Sequence, residues 1–228
     1  AGGFGTRLKK VLKNKPKCLA MINGKPFIDL LIDNCISKGL KKFIISVGYQ
    51  KNQIIEHLQK RNDCELVFSS ESEPMGTGGA IKHARKHIKS NCFMVMNGDS
   101  FLDISIEKFY EFHYKKGTIF TMAGVVGKTI SDYGSILIDK KMRILDFTEK
   151  RSSENDLIIN AGIYLFNKEI FDLFPKSKSF SIEKDFFSYI SKINNFYVYC
   201  TDEDFFDIGT PKRLIAFQKY FKEIQKHP

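Results

Sequence analysis

Residues 41–61 read KKFIISVGYQKNQIIEHLQKR, and the fold follows from how that stretch divides. Its first part, FIISVGY, is a continuous apolar run of strand length. Its second, NQIIEHLQK, spaces its apolar residues at the period of a helix. A strand that is apolar throughout is covered on both faces, and a strand followed at once by a helix is the repeating unit of a parallel sheet. The same grammar runs in both directions. Upstream, PFIDLLIDNCISKGL (26–40) has helical spacing and stops at Gly39, a residue suited to a left-handed C-cap. Downstream, CELVFSS (64–70) reads as a strand, GTGGAIKHARKHIKS (76–90) opens a helix, and NCFMVMNGDS (91–100) is a strand ending in a polar turn. The expectation is a doubly wound, Rossmann-like α/β domain with a mostly parallel sheet, whose ligands sit at the carboxyl ends of the strands.

Past Asp99 the pattern changes. TIFTMAGVV (118–126), YGSILIDKKMRILDFTEK (133–150) and LIINAGIYLFN (157–167) are β-rich, with DKK as a hairpin turn. SIEKDFFSYISK (181–192) reads as a helix, FYVYCTDE (196–203) as a strand and PKRLIAFQKYFKEIQK (211–226) as a last helix. No linker or repeat interrupts the chain, so 1–228 is expected to be a single domain. Its β-rich half, 101–228, is expected to fold over the mouth of the sheet formed by 1–100.

Composition narrows the function classes. Of the 228 residues, 43% are hydrophobic and 27% charged, as in ordinary globular proteins. No apolar run nears the roughly 20 residues that span a bilayer, so no membrane partner is expected. The five cysteines, Cys18, Cys35, Cys64, Cys92 and Cys200, are scattered and odd in number. They read as reduced thiols of a cytoplasmic protein. A net charge of +10 suits an anionic partner, but the lysines are spread from Lys9 to Lys226 instead of forming one block with interleaved aromatics. That pattern favours a phosphorylated small molecule over nucleic acid.

The chemistry begins at AGGFGTRLKKVLKNKPK (1–17). Gly2, Gly3 and Gly5 let the backbone turn tightly and present N–H donors, with Thr6, Arg7 and, behind Pro16, Lys17 close by. Such a nest beside cations suits phosphate. It matches neither the dinucleotide fingerprint nor the Walker loop. A loop of this kind normally follows a buried strand, so a short apolar strand is expected ahead of Ala1. In NGDS, Asp99 stands at a strand end, and Asp207 in FFDIGTP offers a second carboxylate, a pair suited to a hard cation such as Mg²⁺. EPMGTGGA (73–80) sets Gly76 where backbone can lie against a flat base, while Gly78 and Gly79 allow close helix packing. Glu149, Lys150 and Asn160, on β-rich segments, offer an acid, a cation and an amide for hydroxyls and a phosphate. His83 and His87 stand four apart on a helical pattern, but without a third ligand they read as a solvated basic face.

The order of these pieces (GG-x-GTRL…PK, G-T-G-G, N-G-D, Tyr-Gly, E-K, N-A-G and D-I-G-T-P) resembles the sugar-1-phosphate nucleotidyltransferases over essentially the whole chain. Within that family, the short length and EPMGTGGAIKHA are most similar to the D-glycero-α-D-manno-heptose 1-phosphate guanylyltransferases, with the mannose-1-phosphate enzymes next and CTP- or UTP-using relatives third. The resemblance implies a GT-A-like nucleotidyltransferase fold. A nucleotide-binding half (1–100) would be joined to a sugar-phosphate-binding half (101–228), and the missing first strand would be explained. It also implies that GTP and a sugar 1-phosphate yield an NDP-sugar and pyrophosphate in the cytoplasm, feeding a capsule or other surface polysaccharide. In that reading Gly2, Gly3, Gly5 and Thr6 wrap the nucleotide, and Arg7 holds the departing phosphates. Lys17 neutralises the α-phosphate, and Asp99 and Asp207 hold Mg²⁺. Glu71, Gly76 and Thr77 meet the nucleotide, with Glu71 reading guanine, whose neighbouring N–H donors match a carboxylate. Gly134, Glu149 and Asn160 contact sugar hydroxyls, and Lys150 grips the sugar phosphate. Two other outcomes stay open: a catalytically silent binding subunit of the same fold, and a homodimer through the last helix.

Overall fold

The structure is a computed structural model, and it describes residues 8, 12, 15–126, 133–149, 158–190 and 195–224, residue 149 through its backbone alone. It divides into two compact units. One takes its described residues from Ala1–Pro74, Asn97–Phe101 and Phe205–Pro228, the other from Met75–Met96 and Leu102–Asp204.

The first unit opens with a short antiparallel ribbon, β1 (Met21–Ile22) and β2 (Lys25–Pro26), turned by Asn23 and Gly24 at positive φ. Helix α1 (Phe27–Ser37) follows. It ends where Gly39, at φ +86°, swings the chain left-handed, so that the Gly39 N–H donates to Ile36 O (2.9 Å) and the Leu40 N–H to Cys35 O (3.0 Å). Those bonds satisfy carbonyls the helix end would leave bare. Strand β3 (Lys42–Val47), helix α2 (Lys51–Leu58) and strand β4 (Glu65–Ser70) form the expected strand–helix–strand unit. β3 and β4 pair in parallel from Lys42 opposite Glu65 to Val47 opposite Ser70. Ile28 and Ile32 of α1 close on Val47, Ile54 and Leu58, which is why both helices carry an apolar stripe.

The second unit contains α3 (Gly76–Ala84), β5 (Cys92–Met96), α4 (Ile106–Lys116) and a long β-rich run; the short strand β6 (Ser100–Leu102), between β5 and α4 in the chain, begins in the first unit. The run comprises β7 (Phe120–Val126), β8 (Gly134–Ile138), β9 (Ile144–Glu149), β10 (Ile158–Asn167), the one-turn α5 (Ile170–Leu173), α6 (Ser188–Ile190) and β11 (Tyr197–Thr201). Its sheet runs β11-β7-β10-β8-β9, and β5 also pairs with β10. β11 and β7 are parallel, while β5, β7 and β8 each meet β10 antiparallel. The DKK turn is observed: Asp139 O accepts from the Met142 N–H at 3.0 Å, with Met142 at φ +65°. Residues Ile182–Phe187 adopt a π-helix ahead of α6, a widening that seats both Phe186 and Phe187 in the core. The interior is aromatic, with Phe120, Tyr164, Phe166, Phe174, Phe186 and Phe187 in edge-to-face and stacked contacts.

Strand β12 (Phe205–Asp207) returns to the first unit and pairs with β6, and helix α7 (Pro211–Ile224) closes the described chain. Phe217 of α7 packs on Phe27 and Phe101 with ring centroids 5.3 and 5.2 Å away, tying the end of the chain to α1. The α/β fold is thus the one anticipated. No helix among the described residues is long and apolar enough to cross a membrane.

Candidate active site

Two carboxylates meet in the first unit. Asp99 follows β5 in the turn Asn97–Ser100, and its carbonyl accepts the Ile208 N–H at 2.9 Å. That bond extends the β6–β12 pairing and brings the Asp99 and Asp207 segments side by side. The ammonium of Lys17 is hydrogen-bonded to the Asp99 carboxylate Oδ2, and Ser100 Oγ donates to Oδ1 (3.3 Å). Asp207 is buried, and its carboxylate is met by the Gly209 N–H (2.6 Å) and by Arg213 Nη1 (3.1 Å to Oδ2). Burial raises the Asp207 carboxyl above its ordinary pKa, and the Asp99 charge adds to that. The Gly209 N–H, Arg213 and Lys17 pull the other way. A Cβ on Gly209 would lie 2.6 Å from Asp207 Oδ1 and 3.6 Å from Lys17 Nζ, so only glycine leaves room for this corner. Cys18, next to Lys17, is buried, and burial pushes its thiol up to about 11, away from the range of reactive cysteines. Glu71 follows directly on β4, its N–H donating to Val47 O (2.9 Å) at the carboxyl end of the parallel pair.

The second unit lines up a row across three strands. Gly134 of β8 is opposite Glu149 of β9, and the β8–β10 register sets Ser135 opposite Ile159. Asn160 therefore comes next to Gly134, whose added Cβ would lie 3.7 Å from Asn160 Cβ and 2.9 Å from the ring of Phe147. The Asn160 amide is held at both ends: Oδ1 accepts the Gly162 N–H and Nδ2 donates to Tyr164 Oη, each at 2.9 Å.

The three glycines at the start of α3 face this chain's own residues 178–180. Gly76 sits at φ +70° with room for no Cβ, because Phe180 O would be 2.5 Å from it. That carbonyl accepts the Gly78 and Gly79 N–H groups at 3.0 and 3.3 Å, and the Phe180 N–H donates to Met75 O at 3.0 Å. Thr77 Oγ1 donates to Glu183 Oε2 and accepts the Ile182 N–H, both at 2.8 Å. Two of the helix's opening N–H donors are thus already bonded within the protein. The close packing anticipated for Gly78 and Gly79 is this contact.

The family model described as nucleotidyl transferase matches residues 1–223. The chain belongs to the nucleotidyl transferase family. Among curated relatives it is 35% identical over 218 residues to the D-glycero-alpha-D-manno-heptose 1-phosphate guanylyltransferase of Campylobacter jejuni, covering 95% of each chain. It is 32% identical over 220 residues to the mannose-1-phosphate guanylyltransferase catalytic subunit beta of Drosophila melanogaster, covering 94% of this chain and 59% of that one. The crystal structure of HddC from Yersinia pseudotuberculosis superimposes with a TM-score of 0.86 at 35% identity, covering 97% of this chain and 96% of that one. HddC complexed with GMP-PN gives 0.85.

In this nucleotidyl transferase, then, Lys17, Asp99 and Asp207 share one corner of the first unit. Gly134, Glu149 and Asn160 share one row of the second. Gly2, Gly3, Gly5, Thr6, Arg7 and Lys150 lie outside the described residues, as does the side chain of Glu149. His83 ends in α3 while His87 falls in a 3₁₀ turn, so they do not share one α-helical face. Sequence reading missed Arg213, which looks like one more cation on a surface helix. Its signal was the spacing Asp207-x-Gly209-Thr210-Pro211-x-Arg213. Thr210 and Pro211 start a helix, and Arg213, in its first turn, is directed at the carboxylate six residues back.

Proposed function

We propose that this nucleotidyl transferase joins GTP to D-glycero-α-D-manno-heptose 1-phosphate, releasing pyrophosphate and GDP-heptose in the cytoplasm, for use in a surface glycoconjugate. The observation that carries the reading is the corner where Lys17 meets Asp99 beside the buried Asp207, in a chain similar over nearly its full length to a heptose 1-phosphate guanylyltransferase. A sugar-phosphate oxygen attacks the α-phosphorus of GTP as the bond to the β-phosphate oxygen breaks, and the electron pair leaves with pyrophosphate. The nucleophile is already an anion, so no side chain has to remove a proton. Catalysis is positioning and charge screening.

The donor set suits Mg²⁺. Asp99 and Asp207 supply hard oxygens, and among the described residues no group of three His, Cys, Asp or Glu stands ready to enclose a metal. An ion held by two carboxylates and completed by phosphates and water is the usual arrangement for Mg²⁺. When bound there, it supplies positive charge against the phosphates. Lys17 leaves Asp99 for the α-phosphate as that group gains a fifth oxygen, and Arg213 and the Gly209 N–H keep Asp207 oriented. Gly2, Gly3, Gly5 and Thr6 wrap the nucleotide, and Arg7 holds the β- and γ-phosphates. Glu71 reads guanine, with Gly76 and Thr77 beside the base. Gly134, Glu149 and Asn160 take sugar hydroxyls and Lys150 the sugar phosphate. The binding-subunit alternative is disfavoured because Arg7, Lys17, Asp99, Lys150 and Asp207 are all present.

The test is pyrophosphate release with Mg²⁺, pairing each NTP with heptose 1-phosphate or mannose 1-phosphate. Release confined to GTP and the heptose phosphate is the expected result. Release with GTP and mannose 1-phosphate alone replaces the sugar, a second reading that the similarity to the Drosophila mannose-1-phosphate enzyme keeps open. No release with any pair, from folded protein, overturns the enzymatic reading. For the base, Glu71→Gln should narrow the preference for GTP over UTP, and an unchanged ratio removes Glu71 from that role.

A further inference from the structure

We propose that Tyr164 is a positioning residue that sets the amide of Asn160 for the sugar, an inference that rests on the reading of Asn160 as a sugar contact. Residues four apart on a straight strand lie about 13 Å from each other, too far for this pair to meet. β10 is not straight here. Asn160 is opposite Gly124 of β7, yet Tyr164 is opposite Met122, so four steps along β10 match two along β7. The slack is taken up at Ala161 and Gly162, the latter at φ +71°. Bulges of this kind re-aim side chains. This one brings the Tyr164 hydroxyl to 2.9 Å from Asn160 Nδ2 and folds the Gly162 N–H back onto Asn160 Oδ1.

Those two bonds settle which way the amide faces. A backbone N–H can only donate, so it must meet the oxygen, and Nδ2 is thereby turned to the phenol. Each end of the amide keeps one further valence, a hydrogen on Nδ2 and a lone pair on Oδ1, for a sugar hydroxyl. Tyr164 itself cannot touch substrate. It is fully buried, its ring 5.0 Å from that of Phe187 in an edge-on contact and 5.9 Å from that of Phe166 in a stack. The hydroxyl is thus anchored in the aromatic core, and from there it meets the Asn160 amide.

Tyr164→Phe removes one oxygen and leaves the ring. We expect KM for D-glycero-α-D-manno-heptose 1-phosphate, with mannose 1-phosphate run in parallel, to rise about 3- to 10-fold, the size of one net hydrogen bond. The KM for GTP and kcat at saturating sugar phosphate should not move, whereas a merely structural defect would disturb both substrates. Asn160→Ala supplies the second arm. It should raise the same KM, and adding Tyr164→Phe to it should change nothing more, because a residue acting through Asn160 has nothing left to act on. If Asn160→Ala does not fold, Asn160→Ser replaces it, since its hydroxyl can still accept from Gly162 but is too short to meet the tyrosine. An effect of Asn160→Ala with none from Tyr164→Phe, or additive effects, overturns the positioning role and spares the sugar contact. No effect of either substitution on the sugar KM overturns both.

Discussion

The corner around Asp99 and Asp207 and the row around Asn160 are built on opposite principles. In the first unit charge answers charge, Lys17 on Asp99 and Arg213 on the buried Asp207, with the Ser100 hydroxyl and the Gly209 N–H in support. In the second, the described side chains of the row are neutral. Positions there are set by glycines that admit no Cβ, by a bulge and by an amide bonded to a buried phenol. Under the proposed function, the difference teaches where each part of the work would be done. A phosphoryl transfer needs charge that can be redistributed as the reaction proceeds, and ion pairs exchange partners readily. A sugar needs fixed directions for its hydroxyls, which the close-packed glycines, the bulge and the held amide would supply.

If that division is correct, removing charge from the first unit should cost turnover and leave the fold alone. We expect Lys17→Ala or Asp99→Asn to lower kcat by about 10²–10³, the range for losing one electrostatic contact to a transition state. The Lys17–Asp99 pair is partly exposed, and such pairs add only about 0–1 kcal/mol to stability, so the melting temperature should hardly change. Pyrophosphate release and thermal melting on the same preparation check both halves. A variant that melts early would show that the corner is structural.

Changing backbone freedom in the second unit should cost stability. Gly76→Ala puts a methyl 2.5 Å from a main-chain oxygen at φ +70°, and enforced backbone strain of this kind costs about 1–3 kcal/mol. For a chain of this length that amounts to a fall of several degrees, at about 2–4 °C per kcal/mol. Gly39→Ala is the control from the first unit. Its φ is +86°, but nothing lies within 4 Å of the added methyl, so it should fall by less. Equal losses would mean that φ alone matters and that the contact with Phe180 adds nothing.

These contrasts also mark what could be read from the residues. The strand–helix alternation of 41–100, the cap at Gly39 and the turn at Asp139 were legible because each is written in local spacing and local φ preference. Asp99 and Asp207 were legible because strand ends bearing Asp in a polar turn are recognisable one at a time. The partner of the 76–79 glycines was not, since a glycine announces that something comes close without saying what. Here it is residues 178–180, in the other half of the sequence. Arg213 was hidden among other helix cations, and Tyr164 by a rule that is normally sound: four residues along a strand do not touch. Pairing of β5 with β10 escaped for the same reason as Phe180, because strand periodicity is silent about neighbours.

The smallest effect tests whether neutrality in the second unit extends to its interior. His113 of α4 is buried, its Nδ1 2.8 Å from Thr121 Oγ1 and its Nε2 3.1 Å from Asn167 Oδ1. A neutral ring fits if Nε2–H donates to the amide oxygen and Nδ1 accepts from the threonine hydroxyl. Burial lowers its pKa below the 6.5 of a free imidazole. The unfolded chain therefore takes up this proton near pH 6.5, and the folded one only at lower pH. Between those two values the unfolded state holds more protons, so stability declines as pH falls through the window and is untouched above it. The slope from one such group cannot exceed about 1.4 kcal/mol per pH unit. Melting curves of wild type and His113→Gln between about pH 7.5 and 5.5 should diverge toward acid, the variant losing less. Parallel curves would mean that the folded protein accepts charge at His113, and that the interior of the second unit is not neutral.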